Sequence, residues 1–138
     1  MTTLTHVIDA RRCGVYRIAG APPAVSSKIL RLNIPAVRGK AELMDAFART
    51  ANLPAWFGHN WDALEESLLD LDAARGDGVL VLLPEITTLA RRDADAWHTL
   101  LVLLGDVADE WERRGGLFVV LVPDDAPGVE SLPRIAGD

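Results

Sequence analysis

Residues Ile29–Ile34 (ILRLNI) roughly alternate apolar and polar side chains, the period of a strand, and Pro35 ends the run. From Lys40 to Ala51, Leu43, Met44, Phe47 and Ala51 recur at helical spacing and mark a core face, until Asn52–Leu53–Pro54 stops the helix. Val79–Leu83 (VLVLL) is continuously apolar and short, as expected of a strand buried on both faces, with Pro84 closing it. A long helix is predicted from near Asp93. Its core stripe is Trp97, Leu100, Leu101, Leu104, Ala108 and Trp111, and Arg113, Arg114 and then Gly115 end it. Leu117–Val122 (LFVVLV) is the last buried strand. The order is strand, helix, helix, strand, helix, strand. Buried strands joined through helices imply an α/β fold with a parallel sheet and right-handed crossovers.

The flanks are less regular. Val15–Ile18 is a possible short strand, and Gly20–Pro23 is a breaker. Arg75–Gly76–Asp77–Gly78 reads as a turn, and residues 123–138, rich in Pro and Gly, read as a tail.

The second helix of that order, with the loop before it, falls in Leu53–Asp72 (LPAWFGHNWDALEESLLDLD), which has neither Lys nor Arg. Asn60 suits a helix N-cap, because its side-chain oxygen reaches a free backbone N–H one turn on. Asp62 then sits in the first turn, where the helix dipole favours a negative charge. Trp61, Leu64, Leu68 and Leu71 share one stripe and point to the core. Asp62, Glu66, Leu69 and Asp70 lie opposite, with Glu65 on the flank. Asp62–Glu66 and Glu66–Asp70 are like-charge pairs, each unfavourable by about 0.2–0.5 kcal/mol. Such a face is either the ordinary solvated side of an acidic protein or a surface kept for a cation. Trp61 reads as structural. Phe57 divides between core and surface, and Trp56 between a residue folded inward and an exposed interface anchor.

The chain has 138 residues and a net charge of −6, from 14 basic and 20 acidic residues. That length fits one domain. The charge argues against direct nucleic-acid binding, since phosphate repels it, and suits a basic protein partner reached by electrostatic steering. Cys13 is the single cysteine, so no internal disulfide forms, and a reducing compartment is permitted. No apolar run has the length of a signal peptide or a membrane span, so the expected location is the cytoplasm and no membrane partner is expected.

Enzymatic motifs are missing. There is no phosphate-binding glycine loop after a strand, no H-E-x-x-H pattern and no nucleophile elbow. His59 near Asp62 is the only candidate metal cluster, and its ligand number and spacing are poor; no metal and no cofactor are expected. Asp62 and Glu66 are spaced like a glycosidase carboxylate pair, but two acids on one helical face make no cleft. A non-enzymatic role is expected.

The run L-P-x-W-F-G-H-N-W-D-A-L within Leu53–Leu71 resembles the barstar family, intracellular inhibitors of secreted bacterial ribonucleases. The order of elements from Ile29 to Val122 is also similar. The resemblance implies a three-stranded parallel sheet packed by helices over residues 29–122, with residues 1–28 as an N-terminal extension and 123–138 as a C-terminal tail. It further implies a protein that plugs the active site of a basic ribonuclease with its second helix and the loop before it. Carboxylates there stand in for substrate phosphates. Carried over by position, Trp56 takes the place of a partner-contacting tyrosine, and Asn60 and Asp62 match interface residues. Glu66 sits where the family has its dominant aspartate, and Glu65 replaces an aromatic residue. Either Asp109 or Glu110 supplies a further acidic contact. Leu69, on the outward side, completes the candidate surface. Glu66 is one methylene longer than aspartate, so its carboxylate cannot reach the same point from the same backbone. The expected partner is a basic protein, in particular a secreted ribonuclease. The alternative is a binding module of the same fold for a partner that is not a ribonuclease.

Overall fold

The computed structural model describes residues 2–71 and 78–137. In chain order they form α1 (Leu4–Asp9), β1 (Gly14–Ile18), β2 (Ile29–Asn33), α2 (Lys40–Thr50), α3 (Trp61–Leu69), β3 (Gly78–Leu82), α4 (Thr87–Arg92), α5 (Ala94–Arg113), β4 (Phe118–Pro123) and β5 (Arg134–Ile135). Between Ile29 and Pro123 this is the expected order, with the short α4 added ahead of the long helix. The expected turn at Arg75–Gly78 and the acid Asp72 fall mostly outside the described residues, of which only Gly78 is part.

The sheet is parallel, but it has five strands in the order β2-β3-β4-β1-β5, not three. The two additional strands come from the flanks. β1 pairs with β4 over its whole length, Gly14 opposite Val119 through Ile18 opposite Pro123. It can sit inside the sheet because Val15 packs on one face while Tyr16 and Ile18 pack on the other. β5 then pairs with β1, so the segment expected as a tail returns to the fold at Arg134–Ile135. Asp124 holds that return: its carboxylate pairs with both Arg17 and Arg134, and Arg17 Nε donates to the Leu132 carbonyl at 3.0 Å.

The alternation of β3 and β4 sends Val79, Val81, Phe118, Val120 and Val122 to one face and Leu80, Leu82, Val119 and Leu121 to the other. The first face carries α2, α3, α4 and α5 and the larger core. The second is covered by α1, through Leu4 and Val7, with Val25 packed against it. On α5 the buried stripe is broader than predicted: Leu103 and Val107 are buried, while Leu101 is only partly so. Trp111, near the end of α5, donates from its indole to the Leu68 carbonyl at 3.1 Å. That bond fixes α3 against the long helix, and so fixes the surface α3 presents. No helix among the described residues is long and apolar enough to cross a membrane.

Candidate protein-docking site

The loop between α2 and α3 divides two neighbouring aromatics. The Phe57 N–H donates to the Pro54 carbonyl at 2.9 Å, closing a tight turn. Phe57 points inward and is 4% exposed, whereas Trp56 points outward and is 79% exposed. The choice left open for both residues is thereby settled. An indole with four-fifths of its surface in water has no packing role to explain it.

The next residues aim the helix. His59 adopts a left-handed backbone (φ 52°), a region in which histidine is enriched over bulkier residues. Its Nδ1 lies 2.9 Å from the Phe57 carbonyl and its Nε2 lies 3.2 Å from Asp45 on α2. His59 therefore turns to Asp45, not to the expected Asp62. Among the described residues no group of His, Cys, Asp and Glu could hold a metal ion. Asn60 caps α3: its Oδ1 accepts from the Ala63 N–H at 2.8 Å, and its Nδ2 donates to the Gly58 carbonyl at 3.2 Å. Its side chain is thus engaged in holding the loop at the head of the helix.

On α3 itself, Leu64 and Leu68 are fully buried, and Trp61 and Leu71 are partly buried beside them. The half-exposed Trp61 ring lies 5.5 Å below Lys40 Nζ, within reach of a cation–π contact from α2 that the sequence did not indicate. Asp62, Glu66 and Asp70 are exposed, and Glu65 is half-buried. No Lys, Arg or His among the described residues forms an ion pair with any of the four. Leu69 is not a free surface residue. It packs partly against the main core, and its carbonyl accepts from Arg114 Nη1 at 3.3 Å.

The long helix separates the two acids that the sequence left equivalent. Glu110 is paired with Arg113 and Arg114, the latter at 3.1 Å. Asp109 is exposed and has no ion-pair partner among the described residues. Arg114 links Glu110 to the end of α3, so Glu110 is part of the scaffold that holds the helix.

Trp56 and Glu66 meet along a groove of about 670 Å³ that the sequence did not reveal. Its walls include Lys28, Leu30 and Arg31 on the β2 side, Leu53 and Trp56 from the loop, and Glu66 and Asp70 from the α3 side. Asp62 is outside this groove, so Asp62 and Glu66 do not face each other across a cleft. Leu30 could have been suspected only from its place in an edge strand, because its alternation reads as core. It is 44% exposed. The groove combines apolar and aromatic walls with two carboxylates on the α3 side, which form no ion pair among the described residues, and with Lys28 and Arg31 on the β2 side.

A family model described as barstar (barnase inhibitor) matches residues 27–123, more than half of the chain. The match begins just before β2 and ends with β4; α1, β1 and β5 lie outside it. β2, β3 and β4 are contiguous in the sheet, which explains how a three-stranded expectation arose from a five-stranded protein. No curated protein matches the chain.

Proposed function

The chain belongs to the barstar family, an inhibitor family and not an enzymatic one, and from that premise we propose that it binds a basic ribonuclease and blocks its active site. One observation carries the reading: the exposed Trp56 indole lies beside Glu66 on a groove whose carboxylates have no cationic partner among the described residues. An arginine- and lysine-lined substrate cleft is the chemical complement of that surface. Asp62, Glu66 and Asp109 take the place of substrate phosphates. Trp56 supplies the apolar anchor, and Asn60 fixes the loop that presents it. Occlusion then needs no chemistry from the inhibitor. The proposed location is the cytoplasm, where the lone Cys13 thiol stays reduced.

The test is inhibition of a panel of basic microbial ribonucleases by the purified chain, at low and at moderate salt. The reading requires stoichiometric inhibition of at least one enzyme, with association slowing as salt screens the steering charges. A second reading, a binding module for another basic protein, draws support from Glu65 and Glu66. Both depart from the family's residues, and one is half-buried. Binding of a non-nuclease basic protein, with no ribonuclease inhibited, would select it.

A further inference from the structure

β1 and β4 are neighbours in the sheet, and the chain leaves their carboxyl ends in opposite directions. After β1, Gly20 turns with a positive φ of 76°, and the segment that follows crosses the second face, where Val25 packs. After β4, Ala126 and Val129 pack into the core on the first face. Adjacent parallel strands whose onward segments part to opposite faces leave a crevice beyond their ends, the place where open parallel sheets bind ligands. Such a crevice is present. A cavity of about 690 Å³ is lined by Ala19, Ala21 and Pro22 from one departing segment and by Pro123, Asp124 and Asp125 from the other. That volume is within the range of about 300–1,000 Å³ that takes small ligands.

The charges of the lining are set at its two sides. Ile18, Leu82 and Leu121, at the ends of β1, β3 and β4, are apolar. Arg31 and Asn33 stand on the β2 side, both exposed. Asp124 and Asp125 stand on the β4 side. Asp124 is engaged by Arg17 and Arg134, whereas Arg31 and the exposed Asp125 form no ion pair among the described residues. The cavity therefore offers one unneutralised cation and one unneutralised anion with apolar surface between them. A ligand with a single charge meets its like at one end. β2 and β4 lie on either side of β3, so the two charges are at least two strand spacings apart, roughly 9–10 Å. Arg31 is level with Leu80 and, through it, Val119, so Asp125 also lies further along the strands. The separation is on the order of 10–15 Å.

We propose that this crevice binds a short apolar peptide with both ends free, its carboxylate on Arg31 and its ammonium group on Asp125. An extended chain advances about 3.3–3.6 Å per residue, so about three or four residues bridge the two charges and a single amino acid does not. The Asn33 amide, a donor and an acceptor at once, is placed to bond a peptide group near the carboxylate end. Apolar side chains of the peptide rest on Leu82 and Leu121. The inference does not depend on the ribonuclease reading. Of the residues lining this cavity only Arg31, on the edge strand, also borders the groove beside Trp56.

The probe is tetraalanine, with its N-acetylated form, its C-amidated form and free alanine as controls. Each is titrated into the full chain while backbone amide chemical shifts are followed residue by residue. Tetraalanine is expected to move the amides of Ala21, Asn33, Leu82 and Asp125 and to leave those of α3 in place. Blocking either end should weaken binding by about threefold to tenfold, and free alanine should bind more weakly still. Arg31→Gln should weaken binding of tetraalanine by a similar factor and add no further loss for the amidated form. Asp125→Asn should do the same with the acetylated form. Both side chains are exposed, so both variants are expected to fold, and unchanged shifts away from the cavity check this. Absence of localised shifts at millimolar tetraalanine, blocked forms or free alanine that bind as tightly as the open tetrapeptide, or Arg31→Gln and Asp125→Asn chains that keep full affinity would each overturn the proposal.

Discussion

Trp56 and Phe57 are neighbours in sequence and opposites in the structure, so truncating each should give opposite results. Trp56 is 79% exposed, so about a fifth of the roughly 3–5 kcal/mol cost of a buried Trp→Ala change applies to folding, under about 1 kcal/mol. Its worth in a complex is larger. A covered aromatic side chain buries about 150–250 Å², and at about 25 cal/mol per Å² the exposed part is worth up to about 3–5 kcal/mol. Ordering the side chain on binding costs about 0.5–1.5 kcal/mol, which leaves about 2–4 kcal/mol, or about 30- to 700-fold in Kd. Phe57 is 4% exposed, so Phe57→Ala should cost folding about 3–5 kcal/mol. The assay pairs urea unfolding with calorimetric binding to an inhibited ribonuclease. Trp56→Ala should unfold near the wild-type midpoint and bind far more weakly. A Trp56→Ala chain that loses several kcal/mol of stability, or that binds as tightly as wild type, would refute the argument.

Further expectations follow from the same geometry. Glu66→Ala and Asp62→Ala should each weaken binding by well over about 1 kcal/mol in calorimetry. Glu66→Ala should leave folding unharmed or slightly improved, since it relieves two like-charge pairs worth about 0.2–0.5 kcal/mol each, whereas Asp62→Ala relieves one such pair, gives up a helix-dipole interaction worth about 0.3–1 kcal/mol and should be close to neutral. Asp109→Ala should weaken binding more than Glu110→Ala, because Glu110 is already held by Arg113 and Arg114; equal losses on titration would contradict the assignment. Asn60→Ala should cost about 1 kcal/mol of stability through the lost cap, with Asn60→Asp retaining most of it in thermal melts. Burial pushes the Cys13 thiol up, outweighing the Phe118 N–H that it accepts from, and the nearby Glu112 carboxylate adds to the rise. The folded state therefore holds this proton more tightly than the unfolded state. Its contribution to stability is complete below the unfolded thiol pKa and is lost as pH rises through the folded one. Alkylation at mildly alkaline pH should be slower in native than in urea-unfolded protein, and equal rates would contradict it.

The elements legible in the sequence were those whose pattern is self-sufficient. Ile29–Ile34, Val79–Leu83 and Leu117–Val122 show their periods without reference to other segments, and Asn60 is a cap by side-chain chemistry alone. β5 and α1 escaped, and β1 was legible only as a possible short strand at Val15–Ile18, because their reason is distant: Gly14–Ile18 is a full strand only against β4, about a hundred residues later, and Arg134–Ile135 only against β1. The acidic face of α3 was visible from helical spacing. The outward direction of Trp56 was not, because it depends on a turn that sends Phe57 in its place. The difference between Asp109 and Glu110 arose from two arginines one turn on, whose orientation no spacing rule decides. Leu69 was misplaced for a related reason: α5 packs close to the end of α3 and covers part of what an isolated helix would expose.

Occlusion as proposed requires the α3 carboxylates to take the place of RNA phosphates, with the loop indole as the apolar anchor beside them. It is tested most directly by competition. A ribonuclease inhibited by this chain is titrated with it at rising concentrations of a mononucleotide that binds the enzyme's active site. The account predicts an apparent Kd that climbs in proportion to nucleotide concentration, with no ternary complex. A Kd that stays constant while nucleotide and protein are bound together would contradict it.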